Sequence, residues 1–120
     1  MSSSAININS QPLLMRDLPW SGAEKAIARK AFNLALQREF EAVIEQARNM
    51  AAKIEQPTDL WKLESYLTQS RRAIDREYDY RYSVLPEVFG NLIRKGRLSE
   101  EDLRGLRDDK LKRIRAYSML

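Results

Sequence analysis

The sequence predicts an all-α protein, and its composition and its periodicity both support this prediction. Only four glycines and four prolines occur among 120 residues, of which 32% are charged and 43% are apolar, as is typical of long helices. Apolar residues recur at steps of three and four for about seven turns in the first half of the chain. We expect a single helical domain over residues 19–120, small enough for a partner subunit to matter to its core.

Residues 1–18 are polar and have no hydrophobic period, and we expect them to form a disordered N-terminal extension. They lack the basic start and the apolar centre of a secretion signal. No later stretch has the length and hydrophobicity of a membrane span. The expected location is therefore the cytoplasm.

The first helix is predicted to begin after Ser21, whose hydroxyl can cap it while Glu24 completes a capping box. No helix-breaking residue follows before Pro57. Eight apolar residues share one face of this helix: Ala28, Phe32, Leu36, Phe40, Val43, Ala47, Met50 and Ile54.

The length of the first helix predicts a dimer. About 33 residues at 1.5 Å each give a helix ~50 Å long, whereas a compact domain of this size is only about 35 Å across. The helix must overhang, and its apolar face would then be exposed to water. We infer an elongated homodimer whose interface includes Phe40, Val43 and Trp61.

A second helix follows the break at Pro57, with Thr58 or Asp59 as its cap, and the two helices form a hairpin. Its apolar residues again step by three, four or seven: Leu60, Leu63, Leu67, Ile74, Tyr78 and Tyr82. This spacing predicts that the helix continues past Tyr82 and that Tyr78 and Tyr82 face the core. Tyr80, about 200° from Tyr78 on a helix, is then the exposed aromatic residue.

Two shorter helices complete the predicted fold. Pro86 suits the first turn of the third helix, and Gly96 suits its C-terminal stop. Ser99 can cap a fourth helix that continues into the basic end of the chain. Its inner face is apolar: Leu103, Leu106, Leu111 and Ile114.

The residue types present argue against catalysis. The chain has no cysteine and no histidine, so thiolate chemistry, sulfur-ligated zinc and the commonest general base are all excluded. The pairs Asp75 and Asp79, and Asp108 and Asp109, lack a calcium-loop pattern or a nearby nucleophile. No Gly-rich phosphate loop occurs either. We expect no enzyme, no cofactor and no metal site.

Two surfaces could bind a partner. Leu60, Leu63 and Leu67 occupy the inner face of the second helix, which turns Trp61 and Ser65 outward. Trp61 could pack on the first helix instead, but an interface is favoured, and an Arg71–Asp75 pair could brace it.

The second candidate surface is basic. From Arg94 to Arg115, nine Lys/Arg stand against five Asp/Glu, which accounts for the net charge of +4. With Tyr80, Arg76 and Arg81 this region could bind nucleic acid, but the interspersed acids favour ordinary charge complementation of a helix.

Four stretches in this order resemble the cyanobacterial fluorescence recovery protein family from Asp17 onward. They are DLPWSGAE, DLWKLESYL, RRAIDREYDYRYSV and DDKLKRIRA. The resemblance implies two long antiparallel helices forming a dimerising stalk, residues 21–85, and a head of two short C-terminal helices, residues 86–120. It further implies binding to the C-terminal domain of the photoactivated orange carotenoid protein, faster return of that protein to its orange form, and work at the thylakoid-associated phycobilisome.

The resemblance also assigns residues. Trp61 and Arg71 match a Trp and an Arg of the family's dimer surface, and Arg113 matches a basic residue of the head. The family's His-Asp after Trp-Lys-Leu is Glu64-Ser65 here, so Glu64 is the candidate to replace the acid that organises this surface.

In the head, Pro86 and Glu87 stand where the family presents apolar side chains, beside the apolar Phe89. The chain is thus either an ordinary member or a divergent helical dimer with another client or weak nucleic-acid binding.

Overall fold

A computed structural model of the chain describes residues 18–120, and the predicted disorder of residues 1–17 lies outside the described residues. The described part contains four α-helices and one short 3₁₀ helix, and it contains no strand. The helices are α1 (Gly22–Ala52), α2 (Pro57–Glu77), α3 (Leu85–Lys95), a 3₁₀ turn (Glu100–Leu103) and α4 (Asp108–Ser118). The all-α prediction is confirmed.

Local capping fixes the ends of the helical hairpin. The Ser21 hydroxyl accepts from the Glu24 amide, and the Glu24 carboxylate accepts from the Ser21 amide, both at 3.1 Å, so the predicted capping box is present. Four residues, 53–56, then link α1 to α2. The predicted cap of α2 is wrong, because the helix begins at Pro57 and its N-cap is Gln56. Asp59 lies in the first turn, where its carboxylate accepts from the amides of Glu55 and Gln56 at 3.0 Å. Pro57 sits in the first turn, where its missing amide hydrogen costs no helical hydrogen bond.

The predicted end of the second helix is wrong. Helix α2 stops at Glu77, and residues 78–81 have no helical hydrogen-bond pattern. Tyr78, Tyr80 and Tyr82 are all half-buried and all pack against the core, so Tyr80 is not the exposed aromatic residue that a continuous helix would give. Because the chain leaves the helix after Glu77, the helical offset of about 200° between Tyr78 and Tyr80 no longer applies, and all three rings reach the core.

In the head, the predicted ends of the third helix agree with α3, whereas the predicted start of the fourth helix does not agree with α4. Pro86 lies in the first turn of α3, and Gly96 ends this helix with a φ of 85°, as predicted. Ser99 caps only the short 3₁₀ turn, whereas the predicted fourth helix ran on without a break. Gly105, with a φ of 105°, turns the chain before α4 begins, because a left-handed residue cannot continue a right-handed helix.

The apolar core lies at one end of the molecule. It joins the N-terminal half of α1 to α3, the 3₁₀ turn and α4. The buried apolar side chains are Ala28, Ala31, Phe32, Ala35, Leu85, Val88, Phe89, Leu92, Leu98, Leu103, Leu106 and Ile114. No residue from Phe40 to Val84 is buried within the chain. The far half of the hairpin therefore has helices but no core of its own.

The molecule is elongated, with extents of 72 × 25 × 23 Å and a radius of gyration of 19.0 Å. A compact domain of this length would have a radius of gyration of about 13 Å. Helix α1, at 31 residues, accounts for ~46 Å of the long dimension. The predicted overhang of the hairpin beyond the core is confirmed.

Candidate protein-interaction surfaces

The segment from Tyr78 to Tyr82 forms an aromatic row against α1. The Phe32 ring meets Tyr78 and Tyr80 edge-on, with centroids 5.6 and 4.9 Å apart. Tyr80 meets Tyr82 at 5.5 Å, and Tyr82 meets Trp20 at 5.5 Å. Edge-to-face pairs at these distances stabilise beyond the area they bury, so the row has a defined geometry.

A buried carboxylate, that of Glu39, joins the row to the head. Glu39 accepts from the Tyr78 hydroxyl at 2.9 Å and lies 3.1 Å from both Lys95 Nζ and Arg97 Nε. Burial alone would raise the pKa of Glu39, but these donors outweigh it and lower the pKa. Burial and the same carboxylate raise the pKa of the Tyr78 hydroxyl well above its ordinary value, so this hydroxyl stays a donor.

A second buried carboxylate, Glu24, ties α4 to the start of α1. Lys110, which is fully buried, donates to Glu24 at 3.0 Å, and the Arg107 amide donates to the same carboxylate at 2.9 Å. Burial would raise the pKa of Glu24, but the amides of Arg107 and Ser21 and the Lys110 ammonium lower it to about 2. Glu24 therefore remains charged at neutral pH.

Two cations of α1 lie on the outer side of the aromatic row. The Arg29 guanidinium carbon is 3.6 Å from the centroid of Tyr80, and Lys25 Nζ is 5.2 Å from that of Tyr82. Both cations belong to exposed residues. Such distances are those of cation–π contacts, which leave the charge available to other groups.

The hairpin exposes apolar side chains far from the core. Trp61 is 64% exposed, and Phe40, Ile44, Leu60 and Leu67 are each nearly half exposed. The alternative in which Trp61 packs on the first helix is therefore wrong for the single chain. At ~100° per residue, Leu60, Leu67 and Trp61 lie on one side of α2. The prediction that Leu60 and Leu67 form a covered inner face is wrong for the single chain, because both are nearly half exposed. An exposed apolar side of this kind is typical of an interface.

The polar residues predicted on α2 share that side. Glu64, Ser65, Arg71 and Asp75 are all exposed. The ion pairs among the described residues do not include one between Arg71 and Asp75, so the predicted brace is absent in the single chain. Shallow cavities of about 410 Å³ lie beside Trp61 and Ser65 and beside Arg71 and Asp75.

The head residues divide into buried and accessible. Phe89 is fully buried in the core, so its predicted place on a partner surface is wrong. The cause is the direction of α3, which packs Val88, Phe89 and Leu92 inward. Arg113 is half-buried on α4 and already has an interaction partner.

Glu87 lies on the exposed side of α3 and lines a groove of about 700 Å³ between this helix and the end of α2. Cations line the same groove, namely Arg76, Arg81, Arg94 and Lys95. Glu87 is therefore accessible to a partner.

Sequence reasoning missed the two buried carboxylates and the Arg29 contact. Glu24 was recognised only as a capping residue, and its partner Lys110 lies 86 positions away, so no local pattern connects them. For Arg29 one signal did exist. The alternating tyrosines permit an extended strand-like segment, which places all three rings beside α1.

Residues 18–120 contain neither a helix that could span a membrane nor a group of side chains that could hold a metal ion. None of the helices is both long and apolar enough for a membrane span. Nor does this part of the chain contain a cluster of three or more acidic residues that could hold a metal ion.

Comparison with known proteins gives one consistent set of relatives. Residues 20–118 match the family described as photoprotection regulator fluorescence recovery protein. The fluorescence recovery protein of Synechocystis sp. (strain ATCC 27184 / PCC 6803 / Kazusa) is 38% identical over 104 residues, which cover 87% of this chain and 95% of that relative.

Two solved structures match the fold as well as the sequence. The fluorescence recovery protein of Fremyella diplosiphon is 41% identical with a TM-score of 0.82, over 85% of this chain and 100% of that one. The protein of Synechocystis sp PCC 6803 is 39% identical with a TM-score of 0.81 and the same coverage. These matches confirm the resemblance seen in the sequence.

Proposed function

This chain belongs to the fluorescence recovery protein family of photoprotection regulators, and from that premise we propose that it binds the photoactivated orange carotenoid protein. It contacts mainly the C-terminal domain of the red form and accelerates the return to the orange form. The quencher then leaves the phycobilisome, and fluorescence recovers. The match over residues 20–118 is the observation that supports this proposal. The cytoplasm, at the phycobilisome, is the corresponding location.

The activity requires binding and no covalent step. A protein that binds one conformation of its client, here the closed one, more tightly than another raises the population of that conformation by the ratio of the two affinities. This ratio is about tenfold for each 1.4 kcal/mol of difference in binding free energy. It accelerates closure only if it also stabilises the barrier state. The elongated 72 Å molecule, in which buried ion pairs of Glu24 and Glu39 join the head to α1, supports such a scaffold role.

The working unit is a homodimer built on the hairpin. The exposed side of α2, with Trp61, Leu60 and Leu67, supports this proposal because it offers an apolar patch that a second copy can cover. Arg71 and Asp75 lie on the same side without pairing within one chain, which leaves them available across the interface. We expect Phe40→Glu to yield monomers, since the new carboxylate would be buried unpaired at a cost of several kcal/mol. Light scattering at micromolar concentration measures this, and a wild-type protein of 14.0 kDa would contradict the dimer.

The function itself is tested by the absorbance of photoactivated orange carotenoid protein in the dark. We expect a several-fold molar excess of this chain to accelerate the red-to-orange conversion. Phe40→Glu serves as a second sample that separates the role of the dimer from that of the single chain. An unchanged rate with the wild-type dimer present would refute the function and favour another client.

Glu87 and Arg113 test the head contact. Because Glu87 is accessible, a client that presents an apolar surface would leave its charge unpaired. We expect Glu87→Leu to tighten binding and Arg113→Glu to weaken it in titration calorimetry with the orange carotenoid protein. Glu101→Leu, which removes another exposed acid of the head, is the control. Weaker binding by Glu87→Leu would mean that a client base pairs with this carboxylate.

A further inference from the structure

Lys25 and Arg29 differ from the other exposed cations of α1 because each rests on an aromatic ring. They lie one helical turn apart, over Tyr82 at 5.2 Å and over Tyr80 at 3.6 Å. A guanidinium stacked on a ring keeps its N–H groups directed sideways, where they can meet a planar acceptor.

The platform beneath these cations is held in place from three sides. Tyr80 packs edge-on against Phe32 at 4.9 Å and against Tyr82 at 5.5 Å. Its hydroxyl lies 3.5 Å from the carbonyl oxygen of Lys25, which ties the segment back to α1. A platform that is already ordered reduces the entropy lost when a ligand binds the cation above it.

The acids that neighbour this patch are engaged elsewhere. Asp79 pairs with Arg81 at 2.6 Å, and Glu24 pairs with the buried Lys110 at 3.0 Å. The ion pairs within residues 18–120 include neither Lys25 nor Arg29. The patch thus holds two positive charges, held on aromatic rings, that no carboxylate of residues 18–120 pairs with.

We propose that Lys25 and Arg29, on their tyrosine platform, form a docking surface for an acidic segment of a protein partner. A carboxylate accepts two parallel hydrogen bonds from a guanidinium, and a second carboxylate about one turn away meets the ammonium. Nucleic acid fits less well, because neutralising two phosphates gives little affinity at physiological salt. This proposal rests on the proposed function in one respect: under that function, the orange carotenoid protein is the partner that supplies the acidic segment.

The first experiment compares Arg29→Gln with Lys30→Gln, which removes a neighbouring exposed charge that is not on a ring. Calorimetry with the photoactivated orange carotenoid protein should show binding roughly tenfold weaker for Arg29→Gln, as expected for one charge-assisted contact. Lys30→Gln should stay within about twofold, because exposed charges away from a contact contribute little. Arg29→Lys, which keeps the charge and loses the planar fork, should fall between them. Equal affinities of Arg29→Gln and Lys30→Gln would overturn the proposal.

A second experiment does not depend on the photoprotective role. Hexaglutamate is titrated into the full chain, and the amide NMR signals of residues 25–29 and 80–82 are followed. The wild type should show shifts that Arg29→Gln lacks and that 0.5 M salt abolishes. Unchanged signals would overturn the docking surface even if the chain accelerates recovery, whereas shifts without recovery would refute the function alone. Tighter binding of a hexathymidylate at equal salt would overturn the assignment to a protein partner.

Discussion

The head end of the molecule, residues 18–39 and 78–120, and the distal stalk, residues 40–77, are folded by different means. Within residues 18–120, the twelve buried hydrophobic side chains that form the core and the three buried charged side chains all lie at the head end. The distal stalk consists of the C-terminal part of α1 and all of α2, and it has no buried residue. The head end thus has its own core, whereas the distal stalk has none within the chain.

This difference has a physical cause. Helices held only by capping and intrinsic helix propensity are marginally stable, and most helical stability in proteins comes from packing of an apolar side. At the head end that packing is within the chain, through Phe32, Phe89 and Ile114. In the distal stalk no such packing is present within the chain, and in the homodimer proposed above a second copy supplies it. The two regions should therefore respond differently to mutation and to dilution.

The largest effect is expected at Phe89. Phe89→Ala removes a fully buried ring and leaves a cavity, which should lower the free energy of unfolding by about 4 kcal/mol. Urea unfolding followed by circular dichroism measures this. The loss should be the same at every protein concentration, because the ring packs within its own chain.

The matched variant is Phe40→Ala in the distal stalk. The same substitution there should reduce stability only where the dimer forms, so its effect should fade on dilution. A concentration-independent loss at Phe40 would contradict the division between the two regions.

The next effect is expected at Lys110. Lys110→Met leaves the buried carboxylate of Glu24 without its cation, and the free energy of unfolding should fall by about 3 kcal/mol. Lys112→Met, two positions later on the exposed side of α4, should change it by less than about 0.5 kcal/mol. Combining Lys110→Met with Glu24→Gln should recover part of the loss. A double variant no more stable than Lys110→Met would show that the pair is not coupled.

The same carboxylate predicts a pH dependence. The pKa of Glu24 is lowered from 4.5 to about 2 in the folded chain, so its ion pair contributes stability above pH 4.5. That contribution should be lost progressively as the pH falls from 4.5 towards 2. Thermal unfolding across this range should show a steeper decline for the wild type than for Glu24→Gln. Parallel curves would mean that other acids account for the decline.

The smallest effect on the single chain is expected at Trp61. The indole is 64% exposed, so Trp61→Ala should barely change the stability of dissociated chains. It should weaken the dimer by about 2 kcal/mol if Trp61 anchors the interface. Sedimentation equilibrium of Trp61→Ala, with Lys62→Ala as its exposed neighbour and control, measures the difference. Equal dissociation constants for the two variants would remove Trp61 from the interface.

The features that were predicted correctly from the sequence depend on residues that lie close together in the chain. Ser21 with Glu24, and Pro86 with Gly96, marked helix ends that the structure confirms, because a cap needs only residues within a few positions. The four-residue step from Tyr78 to Tyr82 was compatible with a helix and with an extended chain. The structure has a non-helical segment here, and three ring contacts to Phe32 and Trp20, which are distant in sequence, stabilise it.

The candidate surfaces were predictable to the same limited extent. The outward direction of Trp61 was predicted from an inner face of leucines. Trp61 is exposed as predicted, but Leu60 and Leu67 are nearly half exposed too, so that face is not covered within the single chain. Phe89 could not be assigned from its helix alone, because its burial depends on the packing of α3 on α4 and on a core shared with residues of α1 that are distant in sequence. Arg29 was missed because its ring partner lies about fifty positions away.

The uncovered hairpin also bears on how much of this protein a cell can maintain. A newly made chain that has not paired displays Phe40, Ile44 and Trp61 to solvent, and surfaces of this kind attract chaperones and proteases. In the proposed homodimer, pairing removes that exposure by mass action, so the protected fraction rises with the total amount of chain. We therefore expect chains made in small number to be degraded faster per molecule, so that the lifetime of the protein depends on its own abundance.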